Sequence, residues 1–382
     1  MPCNAGPMLE SLHVSGYRSL QDIHVPLRPL TVVTGPNGSG KSNLYRCLQL
    51  LARAVRSELS RALVEEGGMP SVLWSGPRPR KRRSEAARAA FSIEIRDTAF
   101  GYAFTCGLPI PQRTMFERDP EVKTERAWMG PVDRPSRRFL ERDHAFARVR
   151  AEDGELAEFS GSIDPGELAL AQIQDPRRFA DLDTVRASLL RWRFYHHMRT
   201  DADAPARQPR QGTRTMSLAS DGSDLAAALQ TIREIGDAPR LAAAIDRLQP
   251  GATLEIVSEQ GWFDLRLHLP GLLRPLTGRE LSDGTLRYLA LVAALLSPRL
   301  APLLAFNEPE SSLHPDLLPG LAELFAETAA RTQIWVTTHA PALARALAEV
   351  SGRAPLELTL REGATAIVGQ GLIWNAEPED EV

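Results

Sequence analysis

Residues 35–42, with the sequence GPNGSGKS, limit most strongly what this chain can fold into. They follow the apolar run LTVV and precede an amphipathic segment that predicts a helix over about 41–65. Glycines let backbone N–H groups turn toward phosphate oxygens, and the start of a helix favours an anion. In this pattern Lys41 reaches the β- and γ-phosphates, and the Ser42 hydroxyl ligates Mg²⁺. The segment therefore predicts a strand–loop–helix unit that binds ATP and Mg²⁺.

Three later segments carry further polar groups at the ends of apolar runs. LLAFNEPESSLHP at 303–315 ends a predicted strand in Glu308, where a carboxylate can act as general base toward water. LSDGT at 281–285 offers a hydroxyl and free N–H groups at a predicted helix start. VTTHAPAL at 336–343 places His339 after the next strand. Taken singly, each has a plain structural alternative: a polar turn, an N-cap and a structural histidine.

The order of predicted elements indicates an α/β fold. Half-buried strands are expected within 9–34, and hairpins in the FSIEI–YAFTCGL and 253–269 segments. Strands alternate with helices at both ends of the chain, which favours a mostly parallel core sheet built from both termini. Helices are predicted at 181–195, 223–248, 286–296, 315–330 and 340–350, whereas 111–160 has weak signals and 199–214 is expected to be a linker. The predicted division is 1–75 and 251–382 as halves of an ATPase head, with 76–250 as an α+β insertion lobe.

Charge and composition indicate which partners and which cellular location to expect. The net charge is −3, so no overall signature of polyanion binding exists. The predicted insertion nevertheless carries a dense basic cluster that could neutralise DNA phosphates, although a solvated loop is equally consistent: Arg78, Arg80, Lys81, Arg82 and Arg83. Three scattered cysteines, no evident signal peptide and no apolar run long enough to span a bilayer indicate a cytoplasmic protein that is not membrane-bound.

Together the motifs resemble those of ABC-type ATPases. GPNGSGKSN resembles a Walker A motif, LLAFNEPESSLHP a Walker B and D-loop, LSDGT the ABC signature and TTHAPAL the switch-histidine loop. The opening LHVSGYRSLQDIHVPLRPLTVV is similar to the N termini of RecF- and SMC-like proteins, and the absence of a long heptad run favours AAA-family members with a compact insertion.

The resemblance implies a role for each matching residue. Residues 36–43 (Pro36, Asn37, Gly38, Ser39, Gly40, Lys41, Ser42 and Asn43) would bind the triphosphate. Glu308 would be the catalytic base, and His339 would contact the γ-phosphate and the attacking water. Ser282 and Gly284 would bind ATP held by a second subunit, which implies an ATP-dependent homodimer. Arg18 would lie near the nucleotide, although a surface arginine is equally consistent.

Two departures from the family pattern stand out. Asn307 replaces the aspartate that normally precedes the catalytic glutamate, and we expect weaker metal binding or slower turnover. No Q-loop glutamine is evident. For the biological role, the sequence favours a DNA-associated ATPase in repair, replication or anti-phage defence. The alternative is an ATP-switched subunit that holds or releases a protein effector such as a nuclease; a transporter ATPase is disfavoured.

Overall fold

The structure is a computed structural model, and it describes residues 8–76, 90–109, 114–151, 154–196 and 198–370. The strands of this part of the chain are β1 Leu9–Tyr17, β2 Leu20–Pro26, β3 Leu30–Thr34, β4 Ala90–Asp97, β5 Phe100–Gly107, β6 Glu121–Met129, β7 Arg138–Asp143, β8 Phe146–Arg150, β9 Leu156–Glu158, β10 Arg193–Tyr195, β11 Arg210–Gln211, β12 Thr253–Glu259, β13 Trp262–His268, β14 Leu276–Thr277, β15 Leu303–Asn307, β16 Gln333–Thr337, β17 Leu356–Arg361 and β18 Ala364–Ile367.

The helices alternate with these strands mainly in the second half of the chain. They are α1 Lys41–Ala54, α2 Leu59–Glu65, α3 Met69–Val72, α4 Ala169–Gln172, α5 Ala180–Leu190, α6 Leu225–Ile235, α7 Ala238–Asp246, α8 Asp283–Leu295, α9 Leu318–Ala329 and α10 Pro341–Ser351. Short 3-10 helices lie at Pro135–Arg137, Pro205–Arg207 and Pro315–Leu317. None of the helices in the described ranges is long and apolar enough to cross a membrane.

A six-stranded sheet in the order β10-β15-β16-β3-β17-β18 forms the centre of the fold. Its strands are parallel except for β18, which pairs with β17 in the antiparallel sense. Every residue of β15 and β16 is buried, as expected for a parallel sheet covered on both faces. The strands come mainly from the two ends of the chain, as the sequence predicted. Their carboxyl ends meet at one edge, where α/β proteins place their ligand sites.

Alternate residues of β15 point into different hydrophobic cores. Leu303 and Ala305 join a core made with the antiparallel sheet and helices α1, α2 and α5. Leu304 and Phe306 join a second core made with α6 to α10 and the β12–β13 hairpin. This is the two-residue repeat of a strand acting on both faces of one sheet. The first core contains residues from all three predicted domains, whose boundaries at 75 and 250 stay a prediction.

An eight-stranded antiparallel sheet, β2-β1-β4-β5-β6-β7-β8-β9, packs on one side. The predicted pairing of β4 with β5 is confirmed. The signals across 111–160 are weak in the sequence, and the structure places β6 to β9 there. Charged residues inside the sheet obscured the alternation: Glu125 and Arg142 are both buried. Glu125 accepts hydrogen bonds from the N–H groups of Ala169 and Leu170, which satisfies its carboxylate.

Three predicted helices end earlier than expected. The 41–65 segment is two helices, because Ser57 between them has a left-handed φ of 59°. The 181–195 helix ends at Leu190, and β10 follows as the edge strand of the parallel sheet. The 223–248 helix is interrupted at Gly236, whose extended backbone separates α6 from α7.

Candidate nucleotide-binding site

The loop between β3 and α1 is formed by glycines in backbone conformations that other residues rarely adopt. Gly35, Gly38 and Gly40 have φ values of 144°, 80° and 101°. A side chain at Gly35 would meet the carbonyl oxygen of Leu358, and one at Gly40 would collide with Thr365. Nothing lies within 4 Å of a side chain at Gly38. The loop therefore packs on β17 and β18 on one side and is open on the other, as a phosphate-binding loop requires.

The remaining residues of this loop divide into exposed and buried groups. Pro36, Asn37 and Ser42 are exposed, whereas Ser39 is 1% exposed. Asn43 donates from Nδ2 to Ser19 Oγ at 2.8 Å, and Ser19 in turn hydrogen-bonds Thr365. These contacts attach the start of α1 to the turn between β1 and β2 and to β18.

Lys41 lies beneath the loop and is 6% exposed. Its Nζ donates to the carbonyl oxygens of Gly35 at 2.7 Å and Pro36 at 3.0 Å. Burial lowers the pKa of this ammonium, while the charges of Glu308 and Glu310 partly oppose that effect. The ammonium is therefore held against the loop by two carbonyl oxygens. A phosphate oxygen can replace either of them as the acceptor.

Asn307 ends β15 at the same edge of the sheet. Its Nδ2 lies 2.8 Å from His196 Nδ1, and the residue is 4% exposed. Its Oδ1 is buried without a hydrogen-bond partner among the described residues. Buried polar oxygens are rarely left without a hydrogen bond. We therefore expect this oxygen to accept a bond from a ligand of the site, such as a metal-bound water.

Glu308 follows in a strained turn, with φ of 49°. Its N–H donates to the Thr337 carbonyl at 2.7 Å, and its own carbonyl accepts from Arg287 Nη2 at 3.0 Å. Its carboxylate lies 3.2 Å from His339 Nδ1 and is 37% exposed. The structure thus brings together two residues that the sequence separates by 31 positions.

Glu310 is a further residue of this candidate site, and the sequence motifs did not single it out. Its Oε1 accepts from the Thr338 hydroxyl at 2.6 Å and from the N–H groups of His339 at 3.3 Å and Ala340 at 3.2 Å. Its Oε2 is buried without a partner in the described ranges. Glu310 therefore fixes the backbone that carries His339. The signal was present as a second carboxylate two residues after Glu308.

Arg287 was also missed as a site residue. It lies on α8, the helix that begins at the LSDGT segment, and it holds the turn at Glu308. Burial lowers the pKa of its guanidinium, against the charges of Glu310 and Glu308. An arginine within the apolar run of α8 was the available signal.

The LSDGT segment starts α8 as an N-cap. Ser282 Oγ accepts from the Thr285 N–H at 3.1 Å. Gly284 lies against the backbone carbonyl of Ser312, with which any side chain at position 284 would collide. The start of α8 is therefore in contact with the loop that follows β15 and carries Glu308 and Glu310.

Arg207 holds this segment in place, although 199–214 was expected to be only a linker. Arg207 is buried, with 8% of its surface exposed. It donates to the Leu281 carbonyl at 2.6 Å, to the Thr200 carbonyl at 2.8 Å and to the Asp283 carboxylate at 2.5 Å. Both Arg207 and Asp283 line an open cavity of about 610 Å³, so the outer side of the segment is accessible.

Two predicted binding groups are placed differently. Arg18 pairs with Glu66, with Nη2 2.7 Å from Oε2, so its charge is already engaged. A nucleotide-binding role for Arg18 stays a prediction. The basic cluster proposed for DNA lies outside the described residues: Arg78, Arg80, Lys81, Arg82 and Arg83.

Comparison with known proteins shows the family of this chain. A family model described as "AAA domain, putative AbiEii toxin, Type IV TA system" matches residues 30–345, which span the P-loop, Asn307, Glu308 and His339. The chain belongs to this AAA domain family. The chain has the fold of an ABC-type P-loop ATPase of the SMC/RecF-like kind, as the sequence motifs predicted.

Solved structures and one curated relative extend the comparison. An SMC head bound to the C-winged helix domain of ScpA has a TM-score of 0.53 at 15% identity, covering 96% of this chain and 99% of that chain. The Pyrococcus furiosus Smc head bound to the C-terminal domain of ScpA has a TM-score of 0.50 at 14% identity, covering 95% and 96%. An OLD nuclease of Thermus scotoductus is 48% identical over 44 residues, which are 12% of this chain and 8% of that protein. This AAA domain chain therefore matches only a small part of the nuclease.

The unpaired atoms of the site suit a magnesium–nucleotide complex. Ser39 Oγ, Asn307 Oδ1 and Glu310 Oε2 are buried oxygens that lack a hydrogen-bond partner among the described residues. Magnesium takes oxygen ligands and retains several waters, which can donate to such oxygens. The residues present therefore fit the Mg²⁺ and ATP that a P-loop fold implies.

Asn307→Asp is expected to lower the Mg²⁺ concentration needed for half-maximal nucleotide binding by about tenfold, because a charged acceptor binds a metal-bound water more strongly than an amide. Titration of Mg²⁺ with a fluorescent ATP analogue would measure the change. Asn307→Ala should shift the value in the opposite direction. An unchanged midpoint in both variants would mean that residue 307 does not face the ion.

Proposed function

We propose that this AAA domain chain hydrolyses ATP slowly and that two copies close around the nucleotide. The observation that carries the proposal is the Glu308–His339 contact at 3.2 Å beside the phosphate-binding loop. Glu308 accepts a proton from the attacking water, and the His339 imidazole lies beside this carboxylate. Lys41 binds the transferred phosphoryl group as a positive charge.

The remaining groups of the site would bind the metal ion or position the catalytic residues. Ser42 and Asn307 would hold Mg²⁺, which when bound neutralises charge on the phosphates. Glu310 fixes the backbone of His339, and Arg287 fixes the turn at Glu308. The amide at position 307 brings one negative charge fewer to the metal than an aspartate, which is why we infer slow turnover.

The proposed dimer rests on the LSDGT segment. Ser282 and Gly284 of one copy would meet the γ-phosphate of ATP bound to Lys41 of the other. This arrangement makes each active site incomplete in a single chain. We infer that it operates in the cytoplasm, because Cys47 and Cys106 are free and buried, which suits a reducing compartment.

For the biological role, we favour an ATPase that acts on DNA. The basic cluster at 78–83 and the short stretch shared with an OLD nuclease support this proposal. A protein effector is the second candidate, because the similar SMC heads are bound to domains of ScpA. In that case the effector, rather than DNA, would respond to the closing and opening of the dimer.

ATP turnover per chain, measured over a hundredfold range of protein concentration with and without double-stranded DNA, tests the proposal. We expect the specific rate to rise with concentration as dimers form, and to rise further with DNA at low salt. A rate per chain that is constant down to concentrations at which the protein is monomeric would overturn the shared site. Turnover that is indifferent to DNA at every salt concentration would favour the effector.

A further inference from the structure

The β1–β2 hairpin carries a cluster of potential metal ligands away from the nucleotide-binding residues. His13, Asp22 and His24 lie on the polar face of this hairpin, whose other face is formed by the buried Leu12, Val14, Ile23 and Val25. His13 faces His24 directly across the strand pair, and Ser15 faces Asp22. Residues of the same strand that are two apart share a face, so the pairing brings all three groups together.

The donor atoms of the cluster are close to one another. His13 Nε2 lies 2.6 Å from Asp22 Oδ1, and the two imidazole rings stack with centroids 3.7 Å apart at 9°. One ligand atom from each of the three residues lies within 4.8 Å of the others. A tetrahedral ion with bonds of about 2.0–2.1 Å needs ligand atoms about 3.3 Å apart. Small side-chain rotations would therefore bring the three groups onto one ion.

A simple histidine–aspartate hydrogen bond accounts for only part of this arrangement. That bond joins His13 and Asp22, and it leaves the third residue unexplained. Within the described residues, the exposed imidazole of His24 stacks on His13 and makes no hydrogen bond. A metal ion would give His24 a partner once the two imidazoles rotate out of their stack so that their nitrogen lone pairs converge.

A second carboxylate, that of Glu94, lies on the strand next to the cluster. Glu94 lies on β4 directly opposite His13, and it is paired with Arg96 at 2.5 Å. Carboxylates near metal-bound histidines orient the rings and raise their basicity. Glu94 is the residue of the neighbouring strand that could do this for His13.

We propose that His13, Asp22 and His24 form a surface site for a divalent transition-metal ion of the zinc class. Two imidazoles and one carboxylate are a ligand set that suits Zn²⁺ and leaves a fourth position for water. The occupied site joins β1 to the edge strand β2. The turn of this hairpin contacts Asn43 at the phosphate-binding loop through Ser19, so the ion stabilises a support of that loop.

Calorimetric titration of the untagged, nucleotide-free chain with Zn²⁺ tests the site. We expect one ion per chain bound through this cluster, and a higher melting temperature in its presence. His13→Ala and His24→Ala should each weaken binding by at least tenfold. Both side chains lie on the polar face of the hairpin, and circular dichroism without metal checks that the variants fold.

His268→Ala is the matched control, because His268 and Glu255 form a two-residue histidine–carboxylate pair at 2.8 Å on the β12–β13 hairpin. This variant should bind Zn²⁺ as the unaltered chain does. So should Cys3→Ser, which removes the thiol nearest to the hairpin along the chain. Failure of the unaltered chain to bind Zn²⁺ would overturn the proposal. So would binding that survives both His13→Ala and His24→Ala, or that is lost with Cys3→Ser or His268→Ala.

Discussion

Glu308→Gln is expected to lower ATP turnover by at least about a hundredfold, which is the range for loss of a general base. Glutamine keeps the length of the side chain and can still face His339 Nδ1, which lies 3.2 Å from the present carboxylate. It cannot accept the proton of the attacking water. ATP should therefore stay bound and intact, and the variant should accumulate as an ATP-dependent dimer. Single-turnover hydrolysis and light scattering would measure the two effects.

Two further substitutions show whether the effect belongs to Glu308. Glu357 lies on β17 beside Thr34, near the start of the phosphate-binding loop, and is exposed; Glu357→Gln should turn over ATP at the unaltered rate. Glu310→Gln keeps an oxygen that can accept from Thr338 and His339, so we expect a smaller loss than at 308. A full loss in Glu310→Gln with activity retained in Glu308→Gln would instead assign the base to Glu310.

The sequence predicts those groups of the candidate site whose arrangement depends on neighbours along the chain. The glycines at 35, 38 and 40, Lys41 and the helix that follows are adjacent, and their spacing alone predicts the loop. Asn307 ends one buried strand, and Glu308 and His339 lie just after the ends of two such strands. The parallel order of the strands predicts a shared edge. These features are local, or they follow from the rule that parallel strands end on the same side.

The residues that the sequence did not reveal act through long-range contacts. Glu310 accepts from the Thr338 hydroxyl 28 positions later and from the backbone N–H groups 29 and 30 positions later. Arg207 binds Asp283, 76 positions later. No local pattern distinguishes these side chains from surface charges. The antiparallel strands β6 to β9 were missed for a related reason. Their buried Glu125 and Arg142 are satisfied by backbone groups from distant segments, so a charged residue occupied a core position.

Arg207→Met is expected to weaken ATP-dependent dimerisation by tenfold or more while leaving the affinity of one chain for ATP within about threefold. The guanidinium holds the carbonyl of Leu281 and the carboxylate of Asp283, which flank Ser282. Without it the LSDGT segment loses its fixed position, whereas the phosphate-binding loop keeps every contact described above. The loss of several hydrogen bonds, each worth about 1 kcal/mol, should also lower the free energy of unfolding by on the order of 3 kcal/mol.

Arg142→Met separates the positioning effect from the loss of stability. Arg142 is also a buried arginine that donates to backbone carbonyls, those of His144, Asp164 and Glu167, but it lies in the antiparallel sheet. Its removal also leaves the buried Glu125 carboxylate, 3.6 Å away, without its cation, so it should lower stability by at least as much. Dimerisation should stay intact at temperatures where both variants are folded. Equal weakening of dimerisation in the two variants would contradict a specific role for Arg207. Since Arg207 would act only through Ser282 and Gly284, a defect in dimerisation without a defect in ATP binding is the result that connects the buried arginine to the second subunit.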